Sequence, residues 1–140
     1  VRALLVSCGG EPYAIPLAGV QEIVEVPAER LHRVGSYRAT VLRGNALPLV
    51  SVHEALGLPA PENPGRLLCV VTGGRRRVGL WVDRVLGEGE IVVKPLGSYL
   101  GQVDGVSGAT ILGDGRVALI LDPSALVRLA LREEELAHVG

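Results

Sequence analysis

The sequence predicts an all-β fold built from two copies of one small barrel or sheet. Three observations carry that prediction. Hydrophobic residues make up 48% of the 140, yet there is no Phe, one Trp and three Tyr, so the core falls to Val, Leu and Ile, a set whose β-branched members favour pleated strands. Nineteen Gly and nine Pro are spread along the chain and supply turn punctuation between short strands. The third observation is internal repetition. Ala39 to Leu56 lies on Ala109 to Leu126 at an offset of 70 residues, and Arg2 to Gly10 lies on Arg66 to Gly74 at an offset of 64. A period this long falls outside the solenoid range and reads as duplication of a whole small unit.

Each half reads as a β-meander closed by a short helix. Val1 to Ser7 is a strand that turns at Gly9-Gly10 and returns as Tyr13 to Val26, because a tight hairpin turn needs positive φ. Leu67 to Thr72, Gly73-Gly74 and Val78 to Val85 repeat this pattern. The second strand pair turns at Gly44-Asn45 in one half and at Gly113-Asp114-Gly115 in the other, and Val117 to Leu121 is a core strand. Ser51-Val-His-Glu54 forms a capping box, with Gly57 placed to stop the helix. Asp122 caps and Pro123 opens a C-terminal helix over about 122–136 that carries Leu126, Leu129 and Ala130 inward. Pro59 to Pro64 joins the halves, which run over roughly 1–60 and 65–126 of a single domain spanning 1–140, with room for strand exchange between them.

Composition narrows the function. A formal net charge of −1 gives no overall field to draw a phosphate backbone, so a nucleic-acid partner is not expected. No apolar run reaches the length that spans a bilayer, and no leader pattern opens the chain. A start at Val1 without Met fits a fragment of a longer polypeptide. Cys8 and Cys69 sit in apolar stretches as small core hydrophobes, and no Cys/His spacing suggests a metal. His32, His53 and His138 lie far apart in sequence and read as surface or capping residues rather than catalysts. Asp104 to Gly108 and Gly113 to Gly115 are turns, since neither follows a strand and opens a helix as phosphate cradling requires. Arg75 to Arg77 is a solvated hairpin tip. Asp83-Arg84 reads either as a buried pair or as exposed charges. No catalytic residue, metal or cofactor is expected, which leaves binding.

The motifs themselves resemble a family. Tyr13-Ala-Ile-Pro-Leu17, Val20-Gln-Glu-Ile23, Leu42-Arg-Gly44 and Leu47-Pro-Leu-Val50 are similar to the first half of CheW-like domains. Val78 to Val85, Ile91 to Leu96 and Ser107 to Asp122 resemble the C-terminal regulatory domain of CheA chemotaxis histidine kinases more than the free adaptor CheW. Val41 stands where free CheW proteins usually carry Asn. The resemblance implies two similar five-stranded SH3-like barrels. It implies a non-catalytic, cytoplasmic docking domain at receptor arrays, which joins the other domains of the kinase to the CheW adaptor and to chemoreceptor cytoplasmic tips. A free-standing CheW-type adaptor is the alternative. By motif match, Val20, Glu22 and Ile23 are expected to touch partners, and Arg43 either touches partners or serves the structure. Val85 and Leu86 follow by the internal repeat.

Overall fold

Arg2–Cys8 (β1) and Glu11–Pro16 (β2) form the first hairpin, with Cys8 opposite Glu11 and the turn on Gly9 and Gly10 at φ +61 and +79. Positive φ at both central residues matches the strand twist, and glycine adopts it without steric cost. The expected return strand is broken. A 3-10 turn at Leu17–Gly19 separates β2 from Val20–Glu25 (β3). A second 3-10 turn, Ala28–Arg30, leads to His32–Val34 (β4), Tyr37–Leu42 (β5), Asn45–Ser51 (β6) and the short helix Val52–Ala55 (α1). Leu67–Gly73 (β7), Arg76–Val82 (β8), Arg84–Glu90 (β9), Val106–Ile111 (β10) and Val117–Leu121 (β11) follow, and residues 123–129 are helical (α2). The computed structural model describes residues 1–34, 37–59, 67–73, 75–96 and 103–129. Most of the join at 60–64, Ala130, the helix expected beyond 129 and His138 lie outside them.

The strands form two sheets, one of five strands in the order β10-β11-β2-β1-β9 and one of six in the order β3-β7-β8-β6-β5-β4. Each sheet therefore takes its central hairpin from the other half of the chain. Parallel contacts join the exchanged hairpins to their hosts, Leu49 to Gly79 in one sheet and Ile120 to Ala14 in the other. Both pairs are non-local, so the arrangement depends on contacts that no local sequence pattern records. The sixth strand, β4, pairs His32 with Ala39; at the matching place in the other sheet there is a single bridge from Lys94 to Ala109.

Faces of the strands give the true internal register. Leu68 and Val70 fill the six-stranded sheet while Cys69 and Val71 face the central core; Ala3 and Leu5 fill the five-stranded sheet while Leu4, Val6 and Cys8 face the centre. Ala3 thus corresponds to Leu68, an offset of 65, one residue more than the sequence alignment suggests. The same correction follows the second hairpin. β5 matches β10 at an offset of 70 (Ala39 to Ala109), but β6 matches β11 at 71 (Ser51 to Asp122), because the turn on Arg43-Gly44 gains a residue in Gly113 to Gly115. The expected turn at Gly44-Asn45 accordingly moves one place back.

Three cores result. The central one stacks Leu4, Val6, Ile15, Cys69, Leu80 and Leu121, among others, between the sheets. Leu47, Leu49, Leu68 and Val70 fill the six-stranded barrel, and Ala3, Ala14, Ile91 and Ile120 fill the other. The caps form where expected. Ser51 Oγ accepts from the Glu54 N–H, while Leu58 N–H donates to His53 O at 2.7 Å and Gly57, at φ +72, donates to Glu54 O. That is a Schellman ending. Glu54 does not return the capping bond and instead pairs with Arg38 at 3.0 Å. In the second half Asp122 Oδ1 accepts from the Ala125 N–H at 3.3 Å.

Candidate functional site

Val20, Glu22 and Ile23 lie on β3, the edge of the six-stranded sheet, and Val85 and Leu86 lie on β9, the edge of the five-stranded sheet. Under the offset of 65, Val20 matches Val85. Both strands carry a bulge at the same step: Val20 faces Val71 and Glu22 faces Val70, skipping Gln21, while Val85 faces Val6 and Gly87 faces Leu5, skipping Leu86. A bulge strengthens local twist and makes an edge a poorer template for unwanted pairing. Val20 and Val85 are half-buried and pack against the same central core. Ile23 and Leu86 remain exposed, at 41% and 48%. The six expected residues therefore separate by task, since two valines anchor their strands and two aliphatic residues stand out from them.

Arg43 belongs with Glu22. Its guanidinium makes a bidentate ion pair with the carboxylate, at 2.5 and 2.6 Å. These hydrogen bonds hold the Glu22 carboxyl below its ordinary pKa and raise the Arg43 guanidinium above its own. The backbone of Arg43 has φ +51, and Gly44 has φ +80. Positive φ at both central positions marks a type I′ turn, where Asn and Gly are favoured and Arg is strained. The turn thus points a long cationic side chain at β3, and β3 supplies the carboxylate that holds it.

Two further features escaped the sequence reading. His53 is buried rather than on the surface, at 3% exposure. Its Nε2–H donates to Asp83 Oδ1 at 2.9 Å, while Asp83 Oδ2 accepts from the Gly9 N–H at 2.8 Å. This resolves Asp83 as one member of a partly buried pair, with Arg84 exposed. Asp83 sits where the chain leaves β8 for β9, and so ties α1 to the tip of the β1–β2 hairpin across the two sheets. The second feature is a set of exposed apolar residues at the barrel ends. Val41 and Ile111, matched at an offset of 70, are exposed at 57% and 58%. A turn signal in the sequence places these residues beside loops, but only the faces of the strands show that both point outward.

The thiols are core groups. Burial pushes Cys8 up to about 12 and Cys69 up to about 11, so neither is a nucleophile at neutral pH. Among the described residues no group of His, Cys, Asp and Glu is disposed to hold a metal ion. No helix among them is long and apolar enough to cross a membrane.

Residues 2–131 match the CheW-like domain family. The chain is a CheW-like domain. It is 33% identical to chemotaxis protein CheA of Treponema pallidum, over 99% of this chain and 17% of that protein. It is 38% identical to CheA of Salmonella typhimurium, over 94% of this chain and 20% of that protein. The CheW-like domain thus spans a fifth or less of the length of these relatives. In fold it is similar to the scaffolding protein TtCheW from Thermoanaerobacter tengcongensis, with a TM-score of 0.66, 18% identity, and coverage of 86% of this chain and 88% of that one. This likeness fits the two barrels to the SH3-like architecture, with strand β4 added to one of them.

Proposed function

We propose that this CheW-like domain is the docking and regulatory domain of a CheA-type chemotaxis histidine kinase, joining the kinase to the CheW adaptor and to the cytoplasmic tips of chemoreceptors. It acts by contact alone. The observation that carries this reading is the pair of exposed aliphatic residues, Ile23 and Leu86, on edge strands that share one bulge and flank one central core. Exposed apolar groups on a strand edge invite aggregation unless a partner covers them, and covering one such side chain yields roughly 1.5 to 3 kcal/mol. Val20 and Val85 fix the two strands from beneath, and Glu22 with Arg43 fixes the neighbouring turn. Kinship with CheA proteins over nearly the whole chain supports the kinase assignment.

The test is binding to a CheW adaptor and to a receptor-tip fragment. Ile23→Glu and Leu86→Glu should each weaken at least one of these contacts tenfold or more at an unchanged thermal midpoint. Full binding by both variants, in folded form, overturns the reading. A free-standing adaptor is the second reading, favoured by fold likeness to most of the TtCheW chain, and the reading frame upstream of Val1 in the gene separates it from a kinase domain.

A further inference from the structure

We propose that the pocket at the end of the six-stranded barrel, between Arg30, His32, Val41 and Arg43, docks a carboxylate side chain of a partner protein set beside an aliphatic one. This inference rests on the docking reading above and adds a recognition chemistry to a surface outside the edge strands.

The pocket measures about 370 Å³ and is lined, among the described residues, by Arg30, His32, Val41, Arg43 and Gly44. Its walls are fixed by the backbone. Arg30 closes the Ala28–Arg30 turn through its N–H to Pro27 O at 2.9 Å, His32 is held in β4 opposite Ala39, and Arg43 is set by the positive-φ turn and the Glu22 carboxylate. Glu22 engages the NH1 and NH2 groups of Arg43, and a guanidinium carries five N–H donors, so donors remain for a second acceptor. The side chains of Arg30 and His32 make no hydrogen bond or ion pair with any described residue. The imidazole offers an N–H donor in either protonation state. The Arg43 guanidinium, held by Glu22 before binding, loses little entropy on binding, and carboxylates are the acceptors that best match such a cluster. Val41 supplies the apolar half of the contact, at 57% exposure.

The pseudo-symmetry separates this surface from the demands of the fold. His32 faces Ala39 as Lys94 faces Ala109, and Ala39 matches Ala109. At the equivalent end of the other barrel, Val92 therefore takes the place of Arg30, Ile111 that of Val41, and Asp114 lies in the turn where Arg43 stands. One topology thus carries Arg30, His32 and Arg43 around a pocket at one end and, at the other, Lys94 in the place of His32 beside Val92, Ile111 and Val117, exposed at 72%, 58% and 58%. Closing the barrel does not require Arg30, His32 and Arg43 to converge.

Titration of the 15N-labelled chain with three probes tests the assignment: an acetylated Leu-Glu-Val-Glu-Leu peptide, its Gln isostere, and glutarate. The Glu peptide should shift amides within residues 30–44 and bind at least tenfold tighter than the isostere, with affinity falling as salt rises. Arg30→Gln and His32→Gln should each weaken it several-fold at an unchanged thermal midpoint, and Val41→Ser should weaken the peptide but not glutarate. Equal binding of peptide and isostere, or shifts confined to other regions, overturns the inference. So does glutarate binding as tightly as the peptide, since that marks a free-anion site. If Ile23→Glu abolishes adaptor binding while peptide binding is indifferent to Arg30→Gln and His32→Gln, this inference fails and the docking reading stands.

Discussion

The two barrels share a topology, a bulge and a pair of helix caps, yet they are held together by different means. The six-stranded barrel is filled by Leu47, Leu49, Leu68 and Val70, while the five-stranded barrel places Ala3, Ala14, Ile91 and Ile120 at its centre. Their seams with the helices differ in the same spirit. Beside α1 the chain has Cys8 in the core and a polar clamp of His53, Asp83 and the Gly9 N–H. Beside α2, Gly73 stands in place of Cys8, and a Cβ there would lie 2.9 Å from Val127 Cγ2 and 3.0 Å from the Ser124 Cα. One seam is closed by hydrogen bonds and the other by close backbone approach. Duplicated topology therefore constrains where strands and helices go and leaves the chemistry of each contact free to diverge.

The largest expected break in this comparison is Leu68→Ala. Leu68 is 1% exposed, and deleting a buried leucine costs about 2 to 5 kcal/mol through lost transfer energy and the cavity left behind. Its counterpart is already alanine, so the reciprocal Ala3→Leu tests overpacking instead, at about 1 to 3 kcal/mol. Urea denaturation of both variants gives the two costs directly. Near-equal, small losses would mean that the barrels tolerate exchange of their fillings.

The seams come next. Gly73→Ala should cost about 1 to 3 kcal/mol, because the atoms it meets include the backbone of α2 and the helix must shift as a body. Asp83→Ala removes the acceptor for both His53 and the Gly9 N–H and should cost a similar or slightly smaller amount, about 1 to 2 kcal/mol. A double-mutant cycle with His53→Ala should return a coupling above roughly 0.5 kcal/mol, whereas Gly73→Ala combined with Asp83→Ala should be near additive. Additivity between His53 and Asp83 would dissolve the clamp.

Much of this was legible in the sequence, and the failures have definite causes. Gly9-Gly10, the Ser51 cap and the Asp122 cap were readable because turn and cap chemistry is local. The duplication was visible too, but its register was read one residue short at the first hairpin. Runs such as Leu4-Leu5-Val6 and Leu67-Leu68 look alike when slid by one place, and only the faces of the strands distinguish the settings. Exchange of hairpins between halves was left open, since long-range pairing leaves no periodic trace. His53 was misread because a buried imidazole depends on Asp83, thirty residues away. At the candidate site, Ile23 and Leu86, which the motif match and the repeat give as partner contacts, are exposed on edge strands. Val20, expected alongside them to touch partners, is half-buried against the central core.

That difference within β3 gives a smaller test. Val20→Glu puts a carboxylate against apolar neighbours and should cost about 1 to 2 kcal/mol of stability, so any loss of binding in that variant is partly a loss of fold. Ile23→Glu should stay within roughly 0.5 kcal/mol of the parent. Thermal unfolding alone separates them. Equal midpoints would show that the two residues share one role.

The smallest effect on stability at neutral pH belongs to Arg43→Asn, and its sign depends on pH. Asn adopts positive φ more readily than Arg, so the variant relieves strain in the type I′ turn while it deletes the ion pair to Glu22. At pH 7 these changes oppose each other, and the midpoint should move little. The pair contributes through a carboxyl whose folded pKa lies below its unfolded value. Its stabilisation is therefore complete above the unfolded carboxylate pKa, near 4.3, and is lost as pH falls through the folded value. Below that point the parent keeps the strain and loses the bond, so the variant should become the more stable of the two. Midpoints measured from pH 7 to pH 2.5 should therefore diverge in favour of Arg43→Asn at the acid end. Parallel curves would mean that Arg43 and Glu22 are not coupled in solution, and the second barrel, where a glycine and aspartate turn needs no such partner, would then describe both.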